Sequence, residues 1–222
     1  MAAEIEVRPV VMAFLKAPRP GIVKTRLGRQ IGHEQATKIY RAMAERQIKS
    51  VPSAFRVEVH YAPRGAAAEM REWLGPSYHY RVQSGGDLGQ RLASAFAHGF
   101  KFGATAIIAI GADCPALDGA CLAEAAHHLG RTDVVLGPAT DGGYYLIGLR
   151  RPSPQIFSGI AWSSEKVLPQ TLARIEASGL SVHLLPVRED IDDWESLRRY
   201  AQSDFPFAFS RPEFSAMKKA GT

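Results

Sequence analysis

The side chains best suited to chemistry fall into one basic cluster and several isolated acidic positions. Lys16, Arg19, Lys24, Arg26 and Arg29 crowd a short early segment that begins Lys16-Ala17-Pro18-Arg19-Pro20-Gly21-Ile22-Val23-Lys24-Thr25-Arg26. Pro18, Pro20 and Gly21 keep this segment out of a helix and let the backbone turn closely. Several cations and backbone amides on one loop suit a di- or triphosphate, and an ordinary solvated basic face accounts for the charge as well. The spacing is not that of a Walker loop. The carboxylates come later. Asp113 stands in Gly111-Ala112-Asp113-Cys114-Pro115, Asp141 in Asp141-Gly142-Gly143-Tyr144-Tyr145, and Asp190, Asp192 and Asp193 in a late acidic run. Mg²⁺ is held by one or two carboxylates, with substrate phosphates and water completing its shell. Asp113 is the candidate first ligand, and Asp190 or Asp192 the candidate second. Acids in a row before a helix also serve simply to complement its dipole.

The rest of the chain must position these groups. At 222 residues, 46% hydrophobic and 22% charged, it has the composition of one ordinary globular domain. That composition excludes intrinsic disorder, collagen-like repeats and a coiled coil. The longest apolar run, residues 10–15, is strand-sized and far short of a membrane span. Glu4 and Glu6 ahead of it have the wrong sign for a secretory signal, so a cytoplasmic protein is expected. Cys114 and Cys121 are too few for a disulfide framework or zinc knuckle and read as reduced core residues. The net charge of +5 admits an anionic partner, but the basic segment has no interleaved aromatics, so no nucleic-acid groove is expected.

Periodicity predicts alternating strands and helices. Strands are expected at residues 10–15, 55–61, 78–82, 104–110, 133–137, 144–149 and 181–187, and helices at 33–49, 66–74, 87–102, 117–129, 165–177 and 193–201. Only a Gly-rich turn separates the fifth and sixth strands, which leaves no room for a crossover helix, so the sixth is expected to run antiparallel. The pattern predicts one α/β domain over residues 1–204, with residues 205–222 as a tail anchored by Phe207, Phe209 and Phe214. Sheets of this kind bind ligands beyond the carboxyl ends of their strands, which is where the groups above fall.

Three further segments lie at such ends. Gly85 and Gly86 lead into Asp87 and, a helical turn later, Arg91. Asp87 suits a helix cap, while the glycines equally allow a base or ribose close to the backbone. Asp141-Gly142-Gly143 is a natural tight turn whose carboxylate is also a candidate substrate contact. Trp162 is either core or the wall of an acceptor pocket, and Ser163-Ser164-Glu165 reads as a capping signal for the next helix.

Taken together, Leu15-Lys16-Ala17-Pro18, the stretch ending Val23-Lys24-Thr25-Arg26-Leu27, Gly86-Asp87-Leu88-Gly89-Gln90-Arg91, Gly111-Ala112-Asp113-Cys114-Pro115 and Asp141-Gly142-Gly143-Tyr144-Tyr145 resemble the bacterial DUF2064 family. Its members are described as glycosyltransferase-like proteins of the GT-A, or nucleotide-diphospho-sugar transferase, superfamily. The first loop and the Asp113 segment also resemble phospholactate and molybdenum-cofactor guanylyltransferases on the same fold. The resemblance implies a GT-A/Rossmann-like three-layer α/β/α fold, with a mostly parallel central sheet containing one antiparallel strand. It implies that Leu15, Lys16, Ala17, Gly21, Lys24, Arg26 and Gly111 wrap a nucleotide's phosphates, and that Gly85, Gly86, Asp87 and Arg91 lie near base and ribose. Asp113 and Asp192 would hold Mg²⁺ or Mn²⁺. Asp141, Gly142, Gly143, Tyr144 and Trp162 would face the acceptor, with Lys24, Asp113 and Asp141 as the catalytic groups. One departure stands out: many GT-A glycosyltransferases carry Asp-x-Asp, and Asp113-Cys114-Pro115 lacks the second acid.

Three functions are consistent with this reading. The first is sugar transfer from a nucleotide sugar to a small acceptor, releasing a nucleoside diphosphate. The second is nucleotidyl transfer from a nucleoside triphosphate, releasing pyrophosphate. The third is a non-catalytic nucleotide-binding module. The sequence does not fix the base, the sugar, the acceptor or the oligomeric state.

Overall fold

A computed structural model describes residues 8–202 of the chain. The elements follow the order β1 (Val10–Lys16), α1 (Thr25–Ile31), α2 (His33–Ser50), β2 (Arg56–Ala62), α3 (Ala67–Leu74), β3 (His79–Val82), α4 (Leu88–Lys101), β4 (Ile107–Ile110), α5 (Gly119–Leu129), β5 (Val134–Pro138), β6 (Tyr144–Leu149), α6 (Val167–Ala177), β7 (Val182–Leu184) and α7 (Trp194–Gln202). The seven strands form one sheet in the order β3-β2-β1-β4-β6-β5-β7. Only β6 runs against its neighbours, pairing antiparallel with both β4 and β5. The sheet therefore has the expected mostly parallel form with one reversed strand, and the short 141–143 turn is the reason.

Side chains of β1 alternate between two buried layers, as the two-residue period of a strand requires. Val11, Ala13 and Leu15 pack against Tyr40, Ala44 and Ile48 of α2 and against α5. Val10 and Met12 pack on the other face against Leu92 and Phe96 of α4. This is why β1 reads as a continuous apolar run: it is covered on both sides. A third cluster, with Leu27, Ile39, Met43, Ile191 and Leu197, fastens α1 and α7 to the outer face of α2. Each such side chain, fully buried, stabilises by about 1.5–3 kcal/mol.

The 16–26 segment is not wholly a loop. Thr25 opens a helical turn, so Arg26 lies on α1, and that turn buries Leu27 against Ile39 and Met43 of α2. The expected cap at Ser163-Ser164-Glu165 also differs. Lys166 is the residue before α6 and makes no side-chain cap, while the Ser164 hydroxyl donates back to the Ala161 carbonyl at 2.7 Å. Strands β4 and β7 are shorter than the apolar patterns suggested, since Ala104 and Val187 lie outside the ladders. The tail at residues 205–222 lies outside the described residues. Among those that are described, no helix is long and apolar enough to cross a membrane.

Chain direction makes the site. From β1 the chain moves through α1 and α2 to β2 on one side, whereas β4, on the other side of β1, is reached through α4 on the opposite face. A crevice opens between the carboxyl ends of β1 and β4, where the strand order reverses. Lys16 and Asp113 stand at its two lips.

Candidate active site

The crevice holds a cavity of about 260 Å³ lined by Lys16, Lys24, Arg26, Tyr40, Asp113 and Asp192 among others, with Phe14 and Ile22 as apolar walls. Lys24 dominates its electrostatics. Its Nζ lies 2.5 Å from Asp113 Oδ1 and 3.1 Å from Asp192 Oδ1, and its side chain is 3% exposed. The two aspartates are about half exposed. Burial opposes a charge on Lys24, but the two carboxylates outweigh it and hold the ammonium above the usual lysine range. Its backbone sits in the left-handed region at φ 47° and ψ 46°, just ahead of α1. A non-glycine residue there costs about 1–3 kcal/mol and persists only where its surroundings enforce it. That conformation accompanies the inward turn of the side chain.

Helix α2 sets both lips. The Tyr40 hydroxyl accepts from the Lys16 N–H at 2.8 Å and donates to the Lys16 carbonyl at 3.1 Å. Burial pushes the Tyr40 phenol up, so it remains a donor. Two turns along, Gln47 donates to the Cys114 carbonyl and Arg46 to the Pro115 carbonyl, which fixes the bend after Asp113. Neither Tyr40 nor Gln47 was singled out in the sequence. The available signal was polar groups at Thr37, Tyr40 and Gln47 on the mainly apolar face of α2, and that pattern names no partner.

The late acidic run is sorted by the fold. Asp193 accepts from the Ser196 N–H at 2.8 Å and serves the start of α7, while the Ser196 hydroxyl accepts from the N–H groups of Asp192 and Asp193. Asp192 is thereby turned toward Lys24. Asp190 is largely buried, and its Oδ1 has no hydrogen-bond partner among the described residues. Burial and then the neighbouring Asp113 charge push its carboxyl up to about 7. Asp113 and Asp192 are gathered round one positive charge, the Lys24 ammonium, as two carboxylates that suit a divalent cation whose shell a ligand's phosphates complete. Asp190 does not join them in a three-ligand cluster among the described residues.

The remaining candidates are not among the residues lining this cavity. Asp87 caps α4 in a reciprocal box with Gln90, and Arg91 Nε donates to the Gly86 carbonyl at 3.0 Å. Gly86 adopts φ 94°, and Gly85 leaves open space where a side chain would stand. Asp141 Oδ1 accepts from the Gly143 N–H at 2.9 Å, so one of its oxygens belongs to the turn. Tyr144 packs edge-on against Trp162, and the indole covers Gly89 of α4, so both are held in the packing beneath the crevice. Leu15, Ala17 and Gly111 shape the lips through their backbone; Ala17 extends the β1 ladder with an N–H bond to Ala62. Gly21 supplies the left-handed turn at φ 77°. Burial pushes Cys114 up to about 12, which keeps it an inert thiol.

A second group of metal-type ligands is Glu124, His128 and His183, whose ligand atoms lie within 4.8 Å of one another. It stands at the far end of α5, about 15 Å from the Asp113 lip by helix length. The His128 and His183 rings stack at 3.4 Å and 10°. Parallel rings aim their in-plane lone pairs side by side, so as placed this group does not converge on an ion.

Residues 48–164 match the family described as "Uncharacterized protein conserved in bacteria (DUF2064)". No curated protein matches the sequence. Among solved structures, a "putative nucleotide-diphospho-sugar transferase" from Desulfovibrio desulfuricans G20 superposes with a TM-score of 0.89 at 30% identity, covering 96% of this chain and 95% of that one. The 4-diphosphocytidyl-2C-methyl-D-erythritol synthase of Anaerococcus prevotii DSM 20548 superposes at 0.58 with 8% identity, over 98% and 100% of the two chains. CMP:2-keto-3-deoxy-manno-octonic acid synthetase, complexed with CTP, does so at 0.53 with 12% identity, over 86% and 96%. The last two likenesses are of fold. With the family match spanning more than half the chain and the Desulfovibrio protein alike along nearly all of it, this protein is a member of the DUF2064 family with a GT-A-like fold.

Proposed function

We propose that this chain is a divalent-metal-dependent transferase acting on a nucleotide-activated donor, with a nucleotide sugar as that donor and Mg²⁺ or Mn²⁺ as the metal. The observation that carries this reading is the Asp113–Lys24–Asp192 constellation beside Lys16 and Arg26 in one cavity. A carboxylate pair facing a polycationic wall matches a ligand that brings its own phosphates and shares a metal with the protein. Bound between Asp113 and Asp192, the metal would offset charge developing on the departing diphosphate. Lys16 and Arg26 grip the phosphates and stabilise the same charge through fixed positive groups. The turn at Gly85 and Gly86 receives base and ribose. Asp141 orients the acceptor hydroxyl through the oxygen its own turn leaves free. The name of the 30%-identical Desulfovibrio protein supports a nucleotide-sugar donor.

One observation favours a second reading, nucleotidyl transfer. The second carboxylate, Asp192, arrives from a distant loop and not from an Asp-x-Asp motif, so Asp113 and Asp192 would hold a metal from two separate segments, with its remaining positions left to a ligand's phosphates. The same cations would then hold a triphosphate, and pyrophosphate would leave.

A screen of nucleotide sugars and nucleoside triphosphates separates these. Thermal shifts are read with and without Mg²⁺ for wild type and Asp113→Ala, followed by ³¹P detection of the released product. A Mg²⁺-dependent shift with a nucleotide sugar, lost in the variant, with slow release of nucleoside diphosphate, is the expected result. Pyrophosphate release from a triphosphate selects the second reading. Binding that survives Asp113→Ala without turnover marks a non-catalytic nucleotide-binding module, and the absence of any shift removes the nucleotide reading altogether.

A further inference from the structure

Lys24 presents a conflict that the carboxylate pair alone does not resolve. Its ammonium stands within hydrogen-bond distance of Oδ1 of both Asp113 and Asp192, the two carboxylates proposed to bind metal. A divalent cation sits about 2.0–2.1 Å from carboxylate oxygens when it is Mg²⁺. Such an ion bound to both oxygens would occupy nearly the position of the ammonium, and two cations cannot share that space without strong repulsion. The ammonium cannot stay buried without an anion beside it either, since an uncompensated buried charge is costly.

We infer that Lys24 is an exchangeable counter-ion: it holds Asp113 and Asp192 together in the metal-free protein, is displaced when a divalent cation binds them, and passes to the phosphates of the donor. The inference rests on the metal-dependent reading above and adds how metal and donor are coupled.

Three features support the exchange. The cavity extends from the Asp113–Asp192 pair to Lys16 and Arg26, so the displaced side chain has anion-binding space within reach. The left-handed backbone at Lys24 stands between the irregular 17–23 segment and the first turn of α1, a conformation that costs energy and is relieved if the residue turns away from the carboxylates. Four acids, Asp113, Asp141, Asp190 and Asp192, interact electrostatically in this region, and Lys24 opposes that crowding. A metal-free site thus keeps its shape through a cation carried by the chain itself. Because coupling is reciprocal, phosphate that captures Lys24 tightens metal binding, and metal that expels Lys24 tightens phosphate binding.

The test has two arms. In the first, Mn²⁺ binding without nucleotide is measured by electron paramagnetic resonance for wild type, Lys24→Met and Asp113→Asn. Lys24→Met, freed of the competitor, binds Mn²⁺ about tenfold more tightly than wild type, within the usual range of coupling between sites; Asp113→Asn loses the site. The second arm uses the unaltered chain and does not depend on the variants folding. Amine acetylation is mapped by peptide mass spectrometry in chelator, in Mg²⁺, and in Mg²⁺ with pyrophosphate. Lys24 is protected in chelator, reactive in Mg²⁺ and protected again with pyrophosphate, while the exposed Lys49 stays constant. Equal or weaker Mn²⁺ binding by Lys24→Met, with Asp113→Asn still deficient, overturns the exchange and leaves the metal site standing. Lys24 acetylation insensitive to Mg²⁺ in a protein that binds Mn²⁺ does the same. Mn²⁺ binding that is absent, or indifferent to Asp113→Asn, removes the metal reading and the exchange with it.

Discussion

The Ile191 N–H donates to the Asp113 carbonyl at 2.8 Å, tying the loop after β4 to the loop before α7. Two segments far apart in sequence are thereby fastened together, and the side chains of Asp113 and Asp192 both reach the Lys24 ammonium. The site is thus a property of the joined loops more than of either motif. Its predictions concern the pins that hold them.

Gln47 is 2% exposed and donates to the Cys114 carbonyl. Gln47→Ala removes one of two donors to that carbonyl, which keeps the Leu117 N–H at 3.2 Å, so the loss is that of one hydrogen bond, about 0.5–1.5 kcal/mol. Urea unfolding should show a lower midpoint at unchanged slope, together with weaker Mg²⁺-dependent stabilisation by donor. An unchanged midpoint would show that the Asp113 bend stands without this pin.

Tyr40→Phe removes one hydroxyl that serves both the N–H and the carbonyl of Lys16. A stability loss of about 1 kcal/mol is expected. Donor affinity should fall with little change in the rate at saturation, because the lip carrying Lys16 loosens while Asp113 stays in place. Steady-state kinetics with the donor found by the screen would separate the two effects.

Gly142 adopts φ 87°, and a Cβ there would meet the backbone of Glu165 ahead of α6. Gly142→Ala therefore combines a strained dihedral with a steric clash, for a loss of about 1–3 kcal/mol. Its carbonyl accepts from the Leu168 N–H at 2.8 Å, so hydrogen exchange at that amide should accelerate. Retained protection at Leu168 would mean that the turn relaxes without disturbing α6.

Asp133 links the start of β5 to the start of β7 through bonds from the Ser181 N–H at 3.0 Å and the Ser181 hydroxyl at 2.9 Å. Burial pushes its carboxyl up, but these bonds and the Arg151 charge outweigh it and leave the pKa below the usual range. A depressed carboxyl stabilises the fold above its unfolded value of about 3.9 and loses that contribution as pH falls through the lower folded value. Asp133→Asn should therefore flatten stability against pH below about 4, the region of that unfolded value, and leave the slope near neutrality unchanged. Thermal unfolding across acid buffers reads this directly; identical slopes would assign the acid sensitivity to other carboxylates.

Much of the fold was legible because β1 and β4 are unbroken apolar runs and helices such as α4 and α5 carry their own caps and apolar stripes. Asp87 with Gln90, and Asp118 accepting from the Cys121 N–H, are local signals that need no distant partner. The reversed strand β6 was legible for the same reason, since Asp141-Gly142-Gly143 is too short to cross the sheet. Helix α1 was not, because its one buried turn makes sense only once Leu27 has α2 and α7 to pack against.

The sequence by itself determined the order of elements, the end of the sheet where the candidate site residues fall, and the chemical types present there. Those follow from local periodicity and from the rule that parallel strands point one way. The tertiary structure alone decided which acids share a partner. Lys24 and Asp192 lie 168 positions apart, and no pattern within either segment pairs them. Asp193 at the start of α7 is a local signal the sequence already carries, but the fold alone separated the other two late acids, giving Asp192 to Lys24 and Asp190 to a largely buried position. The physical reason is that a carboxylate's role depends on burial and on which charges face it, and both arise only when distant loops close over one another.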